Sequence, residues 1–165
     1  MEQTQRKWNR LPEYDYTATN VYFITVCTQE RQDLFFMEQA IKGKRKSASS
    51  GSGPNQIIHK WVAETEKKYP GISVDLYVVM PNHIHLLVAT QTQSLPDIMR
   101  FFKTMTTNEY IKWVKNGRAR PFRGKLWQKS YYDHIVRNQW DYNEIWQYIE
   151  NNPTKWRLTH GKIPD

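Results

Sequence analysis

Met80-Pro81-Asn82-His83-Ile84-His85-Leu86-Leu87-Val88 is the stretch from which this chain is read. Val74 to Met80 is an apolar, β-branched run before it, and the run from His83 to Ala89 matches it in kind. Pro81-Asn82 between them predicts a tight turn and an antiparallel return. Strand side chains alternate faces, so His83 and His85 point the same way and Ile84 is buried behind them. At a rise of ~3.3 Å per residue their Cα atoms lie roughly 6.6 Å apart. Two imidazoles so placed can close on one metal ion.

Working outward, Val21 to Thr28 is rich in β-branched and aromatic residues and reads as a buried strand. Ile57, Trp61, Thr65 and Tyr69 recur every four residues, which predicts a helix over about 55–69, stopped by Pro70-Gly71. Pro96 opens a long helix to about Val114, with Ile98, Phe102, Met105 and Trp113 on one stripe that Glu109 interrupts. Residues 116–129 are a basic loop, and Tyr131 to Arg137 is a fourth strand. The last helix is expected to start at Asp141 with Glu144 completing a capping box, to bury Tyr142, Ile145, Trp146 and Ile149, and to end at Pro153. Residues 42–54 read as a flexible surface loop inserted into one domain spanning 1–165. The expected fold is α+β: an antiparallel sheet of about four strands in ferredoxin-like β-α-β-β-α-β order, packed by helices, plus a C-terminal helix carrying a tyrosine.

Hydrophobic residues at 39% and aromatic residues at 14% fit a globular chain rather than a disordered one. No apolar run is long enough to span a bilayer, and Met1 to Lys7 has no signal-like apolar segment. The single Cys27 excludes an internal disulfide framework, so a cytoplasmic protein with no membrane partner is expected. The net charge is +8, and the segment from Arg100 to Arg137 carries all of it, with ten Lys or Arg against Glu109 and Asp133. A localised basic field is the footprint of a polyanion partner, although a solvated basic face has the same composition.

Histidines inside so apolar a strand need partners for their ring nitrogens. The last helix offers Tyr148 and Asn152 at i and i+4, one turn apart on one face. Together these residues form a workable phosphodiester-cleaving site. His83 and His85 would hold a divalent ion, Mg2+ or Mn2+, with Asn152 as an oxygen ligand. Tyr148 would attack phosphorus. Tyr131, Tyr132 and Tyr142 compete for that role, and Asn152 also suits a plain helix C-terminus. Arg100, Lys103, Lys112, Lys115, Arg118, Arg120, Arg123, Lys125 and Lys129 are candidate phosphate contacts. Trp127, Tyr131 and Tyr132 beside them would stack unpaired bases, or else fill the core. Arg6, Lys7 and Arg10 offer a second grip. His134 shares a strand face with Tyr132 and reads as a structural histidine, and Cys27 as a small buried filler.

The segment 79–87 closely resembles the His-hydrophobic-His motif of the IS200/IS605-type single-tyrosine transposases. Three further pieces resemble the domesticated branch, the REP-associated tyrosine transposases: Arg10-Leu11-Pro12-Glu13-Tyr14-Asp15-Tyr16, the run from Leu126 to Asn138, and Tyr148-Ile149-Glu150-Asn151-Asn152-Pro153. The resemblance implies that His83 and His85 bind metal, that Tyr148 is the nucleophile and that Asn152 is the polar ligand. Mobile-element members usually have Gln at that last position. It also implies a substrate of single-stranded DNA with a short imperfect hairpin. The strand is nicked so that the 5′ phosphate stays on tyrosine and a 3′ hydroxyl is freed. The chain has no Gly-rich nucleotide loop, in keeping with a reaction that needs no ATP. A monomer and a homodimer are both compatible. Two other readings remain: a catalytically silent hairpin-binding protein of the same fold, and a small-phosphoester hydrolase, for which Asp75 is the only carboxylate nearby.

Overall fold

The computed structural model describes residues 20–43, 51 and 53–160. The N-terminal motif around Arg10 and the basic residues Arg6 and Lys7 lie outside them, as does most of the expected 42–54 loop. The elements run β1 (Asn20–Cys27), a 3-10 turn (Gln29–Arg31), β2 (Ile41–Lys42), α1 (Asn55–Lys68), β3 (Ser73–Met80), β4 (His83–Thr90), α2 (Leu95–Lys115), β5 (Tyr132–Val136) and α3 (Gln139–His160). One antiparallel sheet of five strands is ordered β2-β3-β4-β1-β5. Without β2 this is the expected ferredoxin-like arrangement. The fifth strand is a two-residue edge piece, Ile41–Lys42 against Tyr77 and Leu76, too short to carry a sequence pattern.

Both faces of the sheet are covered, which is why β3 and β4 read as nearly continuous apolar runs. Alternation sorts their residues. Ile24, Val26, Tyr77, Val79, Ile84, Leu86 and Val88 face α1 and α2, joined by Val62, Met99, Phe102, Tyr110 and Trp113. Val21, Phe23, Leu76, Val78, Met80, Leu87 and Val136 face α3 through Ile145 and Ile149. Full burial of each such aliphatic side chain contributes roughly 1.5–3 kcal/mol. A bulge between Val74 and Leu76 puts these two residues on opposite faces although they are two apart.

Glu109 does not spoil α2. Its carboxylate accepts hydrogen bonds from Lys60 Nζ at 2.9 Å and Trp61 Nε1 at 2.7 Å, clamping α2 to α1. The expected N-terminus of α3 is corrected. Asn138, not Asp141, caps it: Asn138 Oδ1 accepts the Asp141 backbone N–H at 2.9 Å. The buried Asp141 carboxylate is taken by His134 Nε2 at 2.8 Å. Pro153 does not end the helix either, for α3 runs through it to His160. Proline removes one N–H donor and disfavours helix at the residue before it. Here the cost is offset by packing on both sides of the break, with Ile149 buried before it and Trp156 against the sheet after it.

Candidate active site

Register across the sheet builds the site in rows on the α3 face. His83 lies beside Cys27 and Met80. His85 lies beside Thr25 and Val78, and Thr25 beside Tyr132 of the edge strand. Phe23 lies beside Leu87 and His134. The two imidazole centroids are 4.7 Å apart. Above them α3 brings Tyr148, whose ring centroid is 5.4 Å from His85 and 5.8 Å from Phe23. One turn on, the buried Asn152 sits close enough to His83 to raise its pKa. Trp156, a further turn along, packs 5.7 Å from His83 and stacks on His160 at 3.8 Å. His83, His85, Tyr148 and Asn152 therefore meet within one chain. Because α3 is continuous through Pro153, Asn152 keeps its helical offset from Tyr148.

The two histidines are neutral and oriented. Burial is the main cause that lowers His83 to about 4 and His85 to about 3. The Arg31 guanidinium pushes both the same way, and in His85 the neighbouring His83 does too. The nearby Asn152 side chain pulls His83 in the opposite direction. His83 Nδ1 is held by Asn82 Oδ1 at 2.8 Å and His85 Nδ1 by Thr25 Oγ1 at 2.8 Å. That leaves His85 Nε2 buried with no hydrogen-bond partner. A neutral imidazole with one nitrogen anchored and the other unsatisfied is the chemistry of a metal ligand, and anchoring of this kind fixes ring and tautomer. Two imidazoles and an amide oxygen make a mixed N/O set that fits a divalent cation. Among the described residues no group of three His, Cys, Asp or Glu gathers anywhere. Asp75 is engaged elsewhere, accepting from Ser73 Oγ and Tyr142 Oη, both at 2.8 Å.

Two contributors had no sequence cue. Lys155 lies 5.5 Å over the Tyr148 ring. Arg31 sits in the turn after β1, where Glu30 and Arg31 both take left-handed backbone, φ 57° and 54°. Non-glycine residues there cost on the order of 1–3 kcal/mol each. The turn is pinned by Thr28 N–H to Asn82 O at 3.0 Å, Gln29 N–H to Leu126 O at 3.0 Å and Arg31 N–H to Thr28 O at 3.1 Å. Gly or Asn would have announced such a turn in the sequence; Glu-Arg does not.

The expected DNA-contacting residues divide. Trp127 is corrected to a core residue. It is 3% exposed, stacks on Phe35 at 5.6 Å and donates from Nε1 to Thr106 Oγ1 at 2.9 Å. No base can reach it. Lys103 is half-buried and donates to the Gln128 and Lys129 carbonyls, and burial lowers its pKa. Arg118 lies 3.7 Å over Trp113, Arg120 donates to the Asp33 carbonyl, Arg100 pairs with Asp97 and Arg123 with Glu30. Lys112, Lys115, Lys125 and Lys129 are exposed. Residues 122–129 pack at the end of β1, with Gln128 N–H bonded to Cys27 O. The loop thus stands at the His83 end of the sheet, beside Arg31. Tyr132 is exposed at the β5 edge, Tyr131 is partly buried and Tyr142 is tied to Asp75, so of the four candidate tyrosines Tyr148 is the one seated on the histidines.

The family model described as "Transposase IS200 like" matches residues 18–152. An uncharacterised protein of Haemophilus influenzae is 29% identical over 174 residues, covering 92% of this chain and 89% of its own. A candidate REP-associated tyrosine transposase of the same organism is 25% identical over 154 residues, covering 90% and 76%. Among solved structures, a REP-associated tyrosine transposase bound to a REP hairpin superposes with a TM-score of 0.58 at 19% identity, over 99% of this chain and 76% of that one. A candidate transposase from Deinococcus radiodurans gives 0.50 at 20% identity, over 87% and 96%. At these identities the two structures speak to fold alone.

Proposed function

The chain belongs to the IS200-like transposase family, and from that membership we propose a metal-dependent single-stranded DNA nickase and strand transferase that acts beside short hairpins. One observation carries the chemistry: the Tyr148 ring, the unsatisfied His85 Nε2, His83 and Asn152 gather at one place in one chain. His83, His85 and Asn152 would hold Mg2+ or Mn2+. When bound, such an ion supplies Lewis-acid polarisation of the scissile phosphate.

Tyr148 attacks phosphorus through its phenolic oxygen. The new P–O bond forms as the bond to the 3′ oxygen breaks. The phenol gives up its proton, and the 3′ oxygen takes one and departs as a hydroxyl. The 5′ phosphate stays on tyrosine as a diester, so a 3′ hydroxyl can reverse the step and join a strand without ATP. Arg31 and Lys155 bring positive charge to a phosphate whose charge grows in the transition state. Phe23 and Trp156 wall the site and limit water. The hairpin preference is drawn from the structural relative that was solved with one, and exposed Lys125 and Lys129 offer charge for its phosphates.

Incubating the protein with labelled single-stranded hairpins from the flanks of its gene, with and without Mn2+ or Mg2+, tests this reading. A covalent protein–DNA adduct is expected that needs the ion and vanishes in Tyr148→Phe, with hairpin affinity nearly unchanged. An adduct that persists in Tyr148→Phe overturns the choice of nucleophile. Salt-dependent binding with no adduct under either ion makes the chain a binding protein of this fold instead.

A further inference from the structure

A cleft of about 350 Å3 opens beside the tyrosine, between the β5 edge and α3. Its lining is Phe23, Tyr132, His134, Glu144, Ile145 and Tyr148. We propose that this cleft is a nucleobase subsite, holding one unpaired base with an exocyclic amine next to the scissile phosphate. The inference rests on the strand-cleaving reading above and adds a specificity element to it.

Three features carry it. First, the walls are exposed aromatic rings. Tyr132 is 57% and Tyr148 41% exposed, and Phe23 meets each edge-on, at 6.2 and 5.8 Å. Exposed aromatic rings around a cleft are what unpaired bases stack on. Second, Tyr148 is shared. Its ring forms one wall of the cleft and also sits 5.4 Å from His85. Sheet register puts Tyr132 in the row of Thr25 and His85. A base in the cleft therefore has its sugar-phosphate beside the tyrosine and the histidines. Third, the polar groups are hydrogen-bond acceptors. Glu144 offers a carboxylate that makes no ion pair among the described residues. His134 is anchored through Nε2 to the buried Asp141 at 2.8 Å. With that nitrogen donating, a neutral ring offers its other nitrogen as an acceptor. Two acceptors select a base rich in N–H donors. Adenine, cytosine and guanine carry an exocyclic amine, whereas thymine has none and its single N3–H donor lies between two carbonyl oxygens that a carboxylate repels.

The test uses the full chain and free mononucleotides, so it does not need strand cleavage. The methyl resonance of Ile145 is followed by NMR while dAMP, dCMP, dGMP or dTMP is added. The amine-bearing nucleotides are expected to shift it at lower concentration than dTMP. Tyr132→Ala, at an exposed position, should weaken all of them by about 5-fold or more. Glu144→Gln should erase the discrimination against dTMP. In hairpin cleavage the same two variants should raise KM and relax the base preference at the nucleotide flanking the nick, with little change in kcat. Absence of any Ile145 shift with all four nucleotides, or equal affinities in wild type and Tyr132→Ala, overturns the subsite. If mononucleotides bind as described while no hairpin is ever cleaved, the subsite stands and the nickase reading falls. If hairpins are cleaved and Tyr132→Ala keeps the wild-type KM, the subsite alone falls.

Discussion

At the scale of single residues, what distinguishes this site is how completely the two histidines are constrained. Each has one ring nitrogen anchored, by Asn82 or Thr25, and both are buried. Thr25→Val keeps shape and removes the anchor from His85. Loss of such an outer partner costs 10–100-fold in metal affinity as a rule, so titration calorimetry with Mn2+ should show a drop of about that size while the melting temperature stays close to wild type. In the proposed reaction Arg31 would act with opposite sign on the two ligands. Its charge opposes a cation and favours a phosphate. Arg31→Gln is therefore expected to tighten Mn2+ and weaken oligonucleotide binding in the same preparation; a loss of both would mean that the turn had collapsed. His-x-His on a strand and Tyr-x-x-x-Asn on a helix are spacing statements, so each pair's shared face was readable, while the choice of Tyr148 over Tyr131, Tyr132 and Tyr142 came from the family resemblance. Arg31 was not readable, because its place depends on a left-handed turn held by Asn82 and Leu126, residues far away in sequence.

Among the elements, α2 and α3 show how contacts override local signals. Glu109 looked like a flaw in an apolar stripe, and it is the link to α1. Burial would raise its pKa, but hydrogen bonds from Lys60 and Trp61 outweigh that and lower it. A carboxylate with a depressed folded-state pKa adds stability above its ordinary value of 4.5, and that stability is lost as pH falls below it. Urea titrations between pH 7 and 3 should show Glu109→Gln less stable than wild type at neutral pH, with the gap closing on the acid side. At the start of α3, Asn138→Ala removes the cap and should cost roughly 1 kcal/mol by urea unfolding. Asp141 and Glu144, three apart, form a familiar capping pattern in the sequence. His134, brought near by β5, claims the Asp141 carboxylate instead. Pro153 likewise read as a terminator, yet burial on both sides of it carries α3 on to His160.

For the molecule as a whole, charge and burial divide the basic segment into two populations. Lys125 and Lys129 are exposed and stand at the histidine end of the sheet, whereas Lys103, Arg118 and Arg120 are spent on internal partners. Each true phosphate contact contributes about one unit to the slope of log affinity against log salt. Lys125→Ala and Lys129→Ala should each flatten that slope by about 1 in hairpin-binding assays. Trp127→Ala should act differently. It is expected to destabilise the fold by roughly 3–5 kcal/mol, the cost of emptying a buried aromatic site, as measured by unfolding.

The order of strands and helices apart from β2, the shared face of His83 and His85, and the offset of Tyr148 from Asn152 followed from the sequence. Each rests on the backbone periods of 2 and 3.6, which operate over a few residues. The family resemblance lay in those same short motifs. Only the tertiary structure decided which ring nitrogen is left unsatisfied, which lysines are free, and that Trp127 is core. Those answers depend on neighbours such as Thr25, Gln128 and Phe35, which lie close in the fold at sequence separations that no local pattern encodes.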